Sequence, residues 1–236
     1  MRILIPCVLL TCFYATCVPL QCQSAQDEPS QRTTKWIHQE RDLSVKAEII
    51  TQSYCHVDDE AFTVRMDIKL RFTNVSKHPV ILAKRVESPP IVRAARTIED
   101  AEKGDFEYDP NVDYFPTELP PSPRFGEKPD EERFITLAPE QSYEARVISG
   151  VFGATVASKA RKGSGLLAKS SHVLQLGVGA WPYQWPYFAS STDVKELSER
   201  WIKYGHLASG FVYSDFVAFA IPDTFDNPPC KAAAPR

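Results

Sequence analysis

Phe62, Val64, Met66, Ile68, Leu70 and Phe72 alternate one for one with Thr63, Arg65, Asp67, Lys69, Arg71 and Thr73. Six apolar positions in strict period two cannot form one face of a helix, so they predict a long antiparallel strand with one face buried. Leu43, Val45, Ala47 and Ile49 alternate in the same way with Ser44, Lys46 and Glu48. Asn74-Val75-Ser76-Lys77-His78-Pro79 has turn composition. A strand over 80–86 is expected to follow it, and after the break at Pro89-Pro90 another over 91–98. Order resumes over 133–137. Ala138-Pro139-Glu140-Gln141 then predicts a type I turn with Pro in second place. Tyr143, Ala145 and Val147 alternate with Glu144 and Arg146, and Leu174, Leu176, Val178 and Ala180 mark a further strand. A last strand is expected over 211–221, stopped by Pro222.

One segment has helical spacing. Val194, Leu197, Trp201 and Tyr204 fall on one face, Ser190 or Ser191 is placed to cap it, Asp193 lies near its positive end and Gly205 can stop it. Between the strands, residues 109–130 carry Pro110, Pro116, Pro120, Pro121, Pro123 and Pro129, which exclude helix interior and central strand. Residues 158–171 read as an exposed basic loop. Seven or eight strands, one short helix and long polar loops predict an all-β protein: a two-sheet β-sandwich over 41–230 as a single domain. Residues 26–40 form an N-terminal linker and 231–236 a tail.

Two stretches carry a resemblance. Leu70-Arg71-Phe72-Thr73-Asn74-Val75-Ser76-Lys77-His78-Pro79-Val80-Ile81-Leu82, followed by Thr136-Leu137-Ala138-Pro139-Glu140-Gln141-Ser142-Tyr143, resembles bacterial secreted immunoglobulin-like sandwiches. The proteinase-inhibitor-like domains of that group are nearest. The likeness spans about residues 60–150 and implies an immunoglobulin-like arrangement of the two sheets. The chain departs from it in the Pro-rich insertion and at Glu140, where Gly is more usual. A resemblance of this kind implies fold and carries no function.

The N-terminus changes the picture of compartment. Arg2 is the only charge in residues 1–25; an almost wholly apolar run follows, then Ser24-Ala25 and the polar Gln26-Asp27-Glu28. That is the order of a secretory signal cleaved after Ser24 or Ala25. The alternatives are a retained membrane anchor and, because Cys12, Cys17 and Cys22 lie near its end, a lipoprotein, although none of the three follows a full lipobox; no membrane span is expected after cleavage. Of six cysteines only Cys55 and Cys230 would remain, a pair suited to one disulfide in an oxidising compartment. The alternative is two unrelated buried thiols. The expected location is secreted or periplasmic. A net charge of −3 argues against a nucleic-acid partner.

Candidate chemistry is sparse. There is no Gly-x-Ser-x-Gly, phosphate-binding glycine loop or His-Glu-x-x-His. The five histidines, His38, His56, His78, His172 and His206, share no metal-ligand spacing. Asp105, Glu107, Asp109, Asn111 and Asp113 recur every second residue, with Phe106, Tyr108 and Val112 between. An extended backbone would put five oxygen-bearing side chains on one face, a candidate calcium site; a solvated strand face is the competing reading. Trp181, Tyr183, Trp185 and Tyr187, stiffened by Pro182 and Pro186, form a candidate partner-contact surface. Burial against Trp201 is the alternative fate of those rings. Asn74-Val75-Ser76 is a glycosylation sequon in a eukaryotic secretory pathway. The expected function is a secreted, non-catalytic domain that binds an unknown protein or glycan and needs no cofactor. The alternatives are a carbohydrate- or calcium-dependent binding module and an extracellular hydrolase whose site sequence reading misses.

Overall fold

The computed structural model describes residues 40–84, 86, 90–109, 125–181, 192–226 and 228–230. These carry ten strands: β1 (Leu43–His56), β2 (Ala61–Asn74), β3 (Val80–Ala83), β4 (Ile91–Ala95), β5 (Phe134–Leu137), β6 (Ser142–Ala154), β7 (Ser171–Gly179), β8 (His206–Leu207), β9 (Phe211–Tyr213) and β10 (Val217–Ala220). Two short helices, α1 (Ile98–Glu102) and α2 (Thr192–Trp201), and one 3₁₀ turn at Ala157–Lys159 complete the described residues. The protein is mostly β, and its sheets do not close into a barrel.

A strand lies in each segment where one was expected, but the one expected over 80–86 ends at Ala83, and the one expected over 91–98 ends at Ala95, where Thr97 caps the unexpected helix α1. The count rises to ten because the segment read as one strand over 211–221 breaks at 214–216, and because β8 is too short to leave a pattern. β9 and β10 both pair antiparallel with β7, at opposite ends. Three sheets result instead of the two expected: β1-β2-β6, β4-β7 with β9 and β10 on its far edge, and β5-β3-β8, which forms apart around the short parallel strand β8. All pairings are antiparallel except β3 with β8.

β2 explains why the first two sheets pack. Its six alternating apolar residues are all at most 1% exposed. They share one core with Leu174, Leu176 and Val178 of β7, Val92 and Ala94 of β4, and Val147 and Val151 of β6. Burial of this kind contributes about 25 cal/mol per Å² of apolar surface. A second, smaller core lies under the third sheet. It joins Ile81, Ala83, Phe134, Trp181, Val194, Leu197, Trp201 and Leu207.

β1 runs seven residues beyond its alternating part because its register shifts between Ile49 and Thr51. The extra residue reverses which parity faces inward. Before it Val45 opposes Phe72; after it Gln52, Tyr54 and His56 oppose Met66, Val64 and Phe62. The strand ends at the predicted staple: Cys55 and Cys230 are disulfide-bonded across 175 residues. His56 N–H donates to Pro228 O, and Cys230 N–H to His56 O, so the C-terminal segment lies along β1. Closing a loop that long is worth about 5 kcal/mol in the chain-entropy view.

Three local expectations are corrected. The turn at 138–141 is not type I: Glu140 sits at φ 67°, the left-handed position of a type II turn. Gln141 N–H still closes it onto Ala138 O, and Glu140 N–H reaches Asn74 O. Tyr204 is exposed rather than on the buried face of α2, because the helix stops at Trp201; Val194, Leu197 and Trp201 are buried as expected. The basic loop is not wholly exposed: Leu167 is buried, since Ala154 N–H bonds its carbonyl and its own N–H bonds Phe152 O. The expected capping residues Ser190 and Ser191 lie outside the described residues. So do 1–39, with the expected signal and nearly all of the linker, most of the Pro-rich loop, and the tail.

Candidate functional site

Three side chains from distant parts of the chain converge on one point. Asp42 precedes β1, His78 lies in the β2–β3 turn and His206 opens β8. His78 Nε2 is 2.9 Å from Asp42 Oδ2, and His206 Nδ1 is 3.5 Å from the same oxygen. The ring centroids are 3.6 Å apart. The three potential ligand atoms lie within 4.8 Å of one another, and all three residues are partly open to solvent.

The backbone under each is fixed. Asn74, fully buried, donates from Nδ2 to His78 O (2.8 Å) and Leu137 O (2.9 Å). Its Oδ1 accepts from Ser76 N–H and Ser76 Oγ–H. The Asn-x-Ser stretch is thus the clamp of the turn that presents His78. That buried, doubly used Nδ2 excludes glycan attachment to the folded chain. Gly205, at φ 152°, passes so close to Pro79 that a Cβ there would lie 2.8 Å from Pro79 O. The approach lets His206 N–H donate to that carbonyl. Asp42 is held by Val75 N–H on its carbonyl and by Glu40 Oε1 on its own N–H.

A second cluster has the outline of a nucleophile relay. Ser170 Oγ lies 3.1 Å from His172 Nε2, and Glu107 Oε2 lies 3.3 Å from His172 Nδ1. Catalysis of the Ser-His-acid kind needs a lone pair on Nε2 to take the serine proton. Here Ala168 O lies 2.9 Å from the same nitrogen. A carbonyl can only accept, so Nε2 is a donor and is not free to act as that base. The His172 side chain is also fully buried.

The third feature is the outer face of the first sheet. Thr51, Ser53, Arg65, Asp67, Arg146 and Ile148 border an open groove on it. Gly150 stands opposite Arg65, where a Cβ would lie 2.9 Å from Val64 O. Ile148 (55% exposed) and Phe152 (45% exposed) project from β6 on this same face. Arg146 reaches Asp67 only at 4.0 Å, and Arg65 has no ion pair among the described residues. The groove therefore offers two guanidinium groups against one carboxylate, beside apolar surface.

The sequence candidates fare unevenly. Trp181, offered as a contact residue, is 4% exposed and packs with Phe125 and Phe134 in the second core, as does Trp201. It is a core residue: just past the end of β7 the chain places it in the second core beside Phe134. Tyr183, Trp185 and Tyr187 lie outside the described residues, as do Asn111 and Asp113. Of the acidic ladder, Asp105 pairs with Lys162, Glu107 with Arg96, and Asp109 with Arg93. Each described carboxylate already faces a protein cation, and the backbone there makes a single bridge, Tyr108 to Ala94, instead of a regular strand. Asp42, His78 and His206 had no local signal, being 36 residues or more apart. No known protein family matches the chain, and no curated protein is detectably similar to it.

Proposed function

We propose that the protein is an exported, non-catalytic, immunoglobulin-like β-sandwich that acts by binding a protein partner on the outer face of the β1-β2-β6 sheet. The groove between Arg65, Arg146 and Ile148 carries the reading. It joins desolvatable apolar surface to two arginines facing one carboxylate, and arginine is among the residue types that dominate protein contacts. The complement is an acidic residue flanked by apolar ones. The blocked relay at His172 supports binding over turnover.

The immunoglobulin-like assignment draws support from contact between the two resembling stretches. Asn74 N–H donates to Gln141 O, and Glu140 N–H returns the bond to Asn74 O. Export draws support from the Cys55–Cys230 bond, which persists in oxidising compartments.

The test is charge reversal. Arg65→Glu with Arg146→Glu, both on an exposed face, should leave melting within a few degrees of wild type. The same variant should lose the partner that the wild-type protein captures from the envelope or culture fluid of its own host. Capture undiminished by the double reversal would overturn the proposal.

A further inference from the structure

We propose that Asp42, His78 and His206 form a binding site for a late first-row divalent cation, with zinc as its probe. The donor set is two imidazole nitrogens and one carboxylate oxygen, which suits zinc and its neighbours and suits calcium or magnesium poorly. A tetrahedral zinc with bonds near 2.05 Å holds its ligand atoms roughly 3.3 Å apart. The two contacts to Asp42 Oδ2, 2.9 and 3.5 Å, bracket that spacing. The third spacing, between the two imidazole nitrogens, lies within 4.8 Å, so the side chains would rotate to bring those nitrogens to the ion's spacing.

The site is pre-organised. The Asn74 clamp fixes the His78 carbonyl, the Pro79–His206 bond fixes β8 beside it, and Val75 N–H holds Asp42. Three separate chain segments are thereby set around one point, so binding requires little ordering of backbone. The groups are also partly solvent-exposed, which gives the ion an entry path and leaves a fourth position for water, the pattern of an open zinc site. Bound metal would tie the start of β1, the β2–β3 turn and β8 together. It would stabilise the folded chain by mass action, because the unfolded chain does not hold the three residues together. The site is independent of the groove on the outer sheet face.

The experiment uses the full chain purified without a histidine tag. Zinc titration followed by calorimetry should give one ion per chain. Cobalt(II) should develop the intense visible bands of a tetrahedral site, and calcium or magnesium should give neither signal. Asp42→Asn, His78→Gln and His206→Gln should each weaken zinc at least tenfold and abolish the cobalt bands. His56→Gln, away from the cluster, should change neither. Circular dichroism of each variant separates loss of ligand from loss of fold, and His206→Gln, the most exposed of the three, is the least disruptive. Absence of one-to-one zinc binding in the wild type would overturn the proposal. So would retention of full affinity and cobalt bands in folded Asp42→Asn and His206→Gln.

Discussion

Asn74 is the residue whose loss the structure prices most sharply. It is fully buried, and its amide makes four hydrogen bonds: two donated to His78 O and Leu137 O, two accepted from Ser76. Truncation to Ala leaves Leu137 O buried without this donor, at about 1–3 kcal/mol. The other three partners are partly accessible to water, so each loses about 0.5–1 kcal/mol net. Together Asn74→Ala should cost about 2.5–6 kcal/mol. With a urea slope of about 2 kcal/mol/M, the midpoint should fall by roughly 2 M. Ser76→Ala isolates the rim of the clamp: it removes the hydroxyl whose one proton is shared between Asn74 Oδ1 and His78 O, while sparing Leu137. That variant should cost about 1 kcal/mol. Asn74→Asp keeps the acceptor but sets an anionic oxygen against two carbonyls, and should be no better than Ala. Equilibrium urea unfolding of the oxidised protein measures all three. An Asn74→Ala midpoint equal to wild type, or to Ser76→Ala, would refute the clamp.

The remaining predictions follow from single contacts. Ile68→Ala, in the centre of β2 and fully buried, should cost about 2–5 kcal/mol, whereas Lys69→Ala, beside it on the outer face, should stay within about 1 kcal/mol in the same urea assay. Glu140→Gly should raise stability by up to about 1 kcal/mol, because Gly adopts the left-handed φ of 67° without the Cβ clash; Glu140→Val should lower it. Tyr108 and Tyr213 have pKa values raised from 10.0, chiefly by burial; at Tyr213 Arg93 lowers the value and Asp109 raises it. Between their unfolded and folded pKa values the native state binds more protons, so stability is full below pH 10 and falls as pH rises beyond it. Melting at successive alkaline pH values should show that fall, and Tyr108→Phe with Tyr213→Phe should flatten it.

The strands were legible where one face meets the core and the other meets water. β2 is the clearest case: every inward residue from Phe62 to Phe72 was read correctly because nothing interrupts its alternation. β1 was legible only to Ile49, since the bulge after it reverses parity and erases the pattern. The turn at Glu140 was misread because Pro139 suits both turn types, and the choice is made by the backbone bond from Glu140 to Asn74. Of the two fates open to the aromatic run, Trp181 takes burial; a dense aromatic run looks the same whether it faces a partner or a core. The helix spacing of Val194, Leu197 and Trp201 already held the answer to where those rings could pack. The Asp42–His78–His206 cluster was illegible for a different reason. It is a product of topology, made when β8 pairs parallel with β3 and brings His206 beside the turn that holds His78.

The binding claim is tested most directly by site-specific photo-crosslinking in living host cells. A photoreactive side chain is placed in turn at Ile148 and Phe152, which flank the groove, and at Ile202, which is as exposed but follows α2. Adducts of one discrete mass from positions 148 and 152, and none from 202, are the predicted result. No adduct at 148 or 152, or equal yields at all three positions, would contradict a binding face on the β1-β2-β6 sheet.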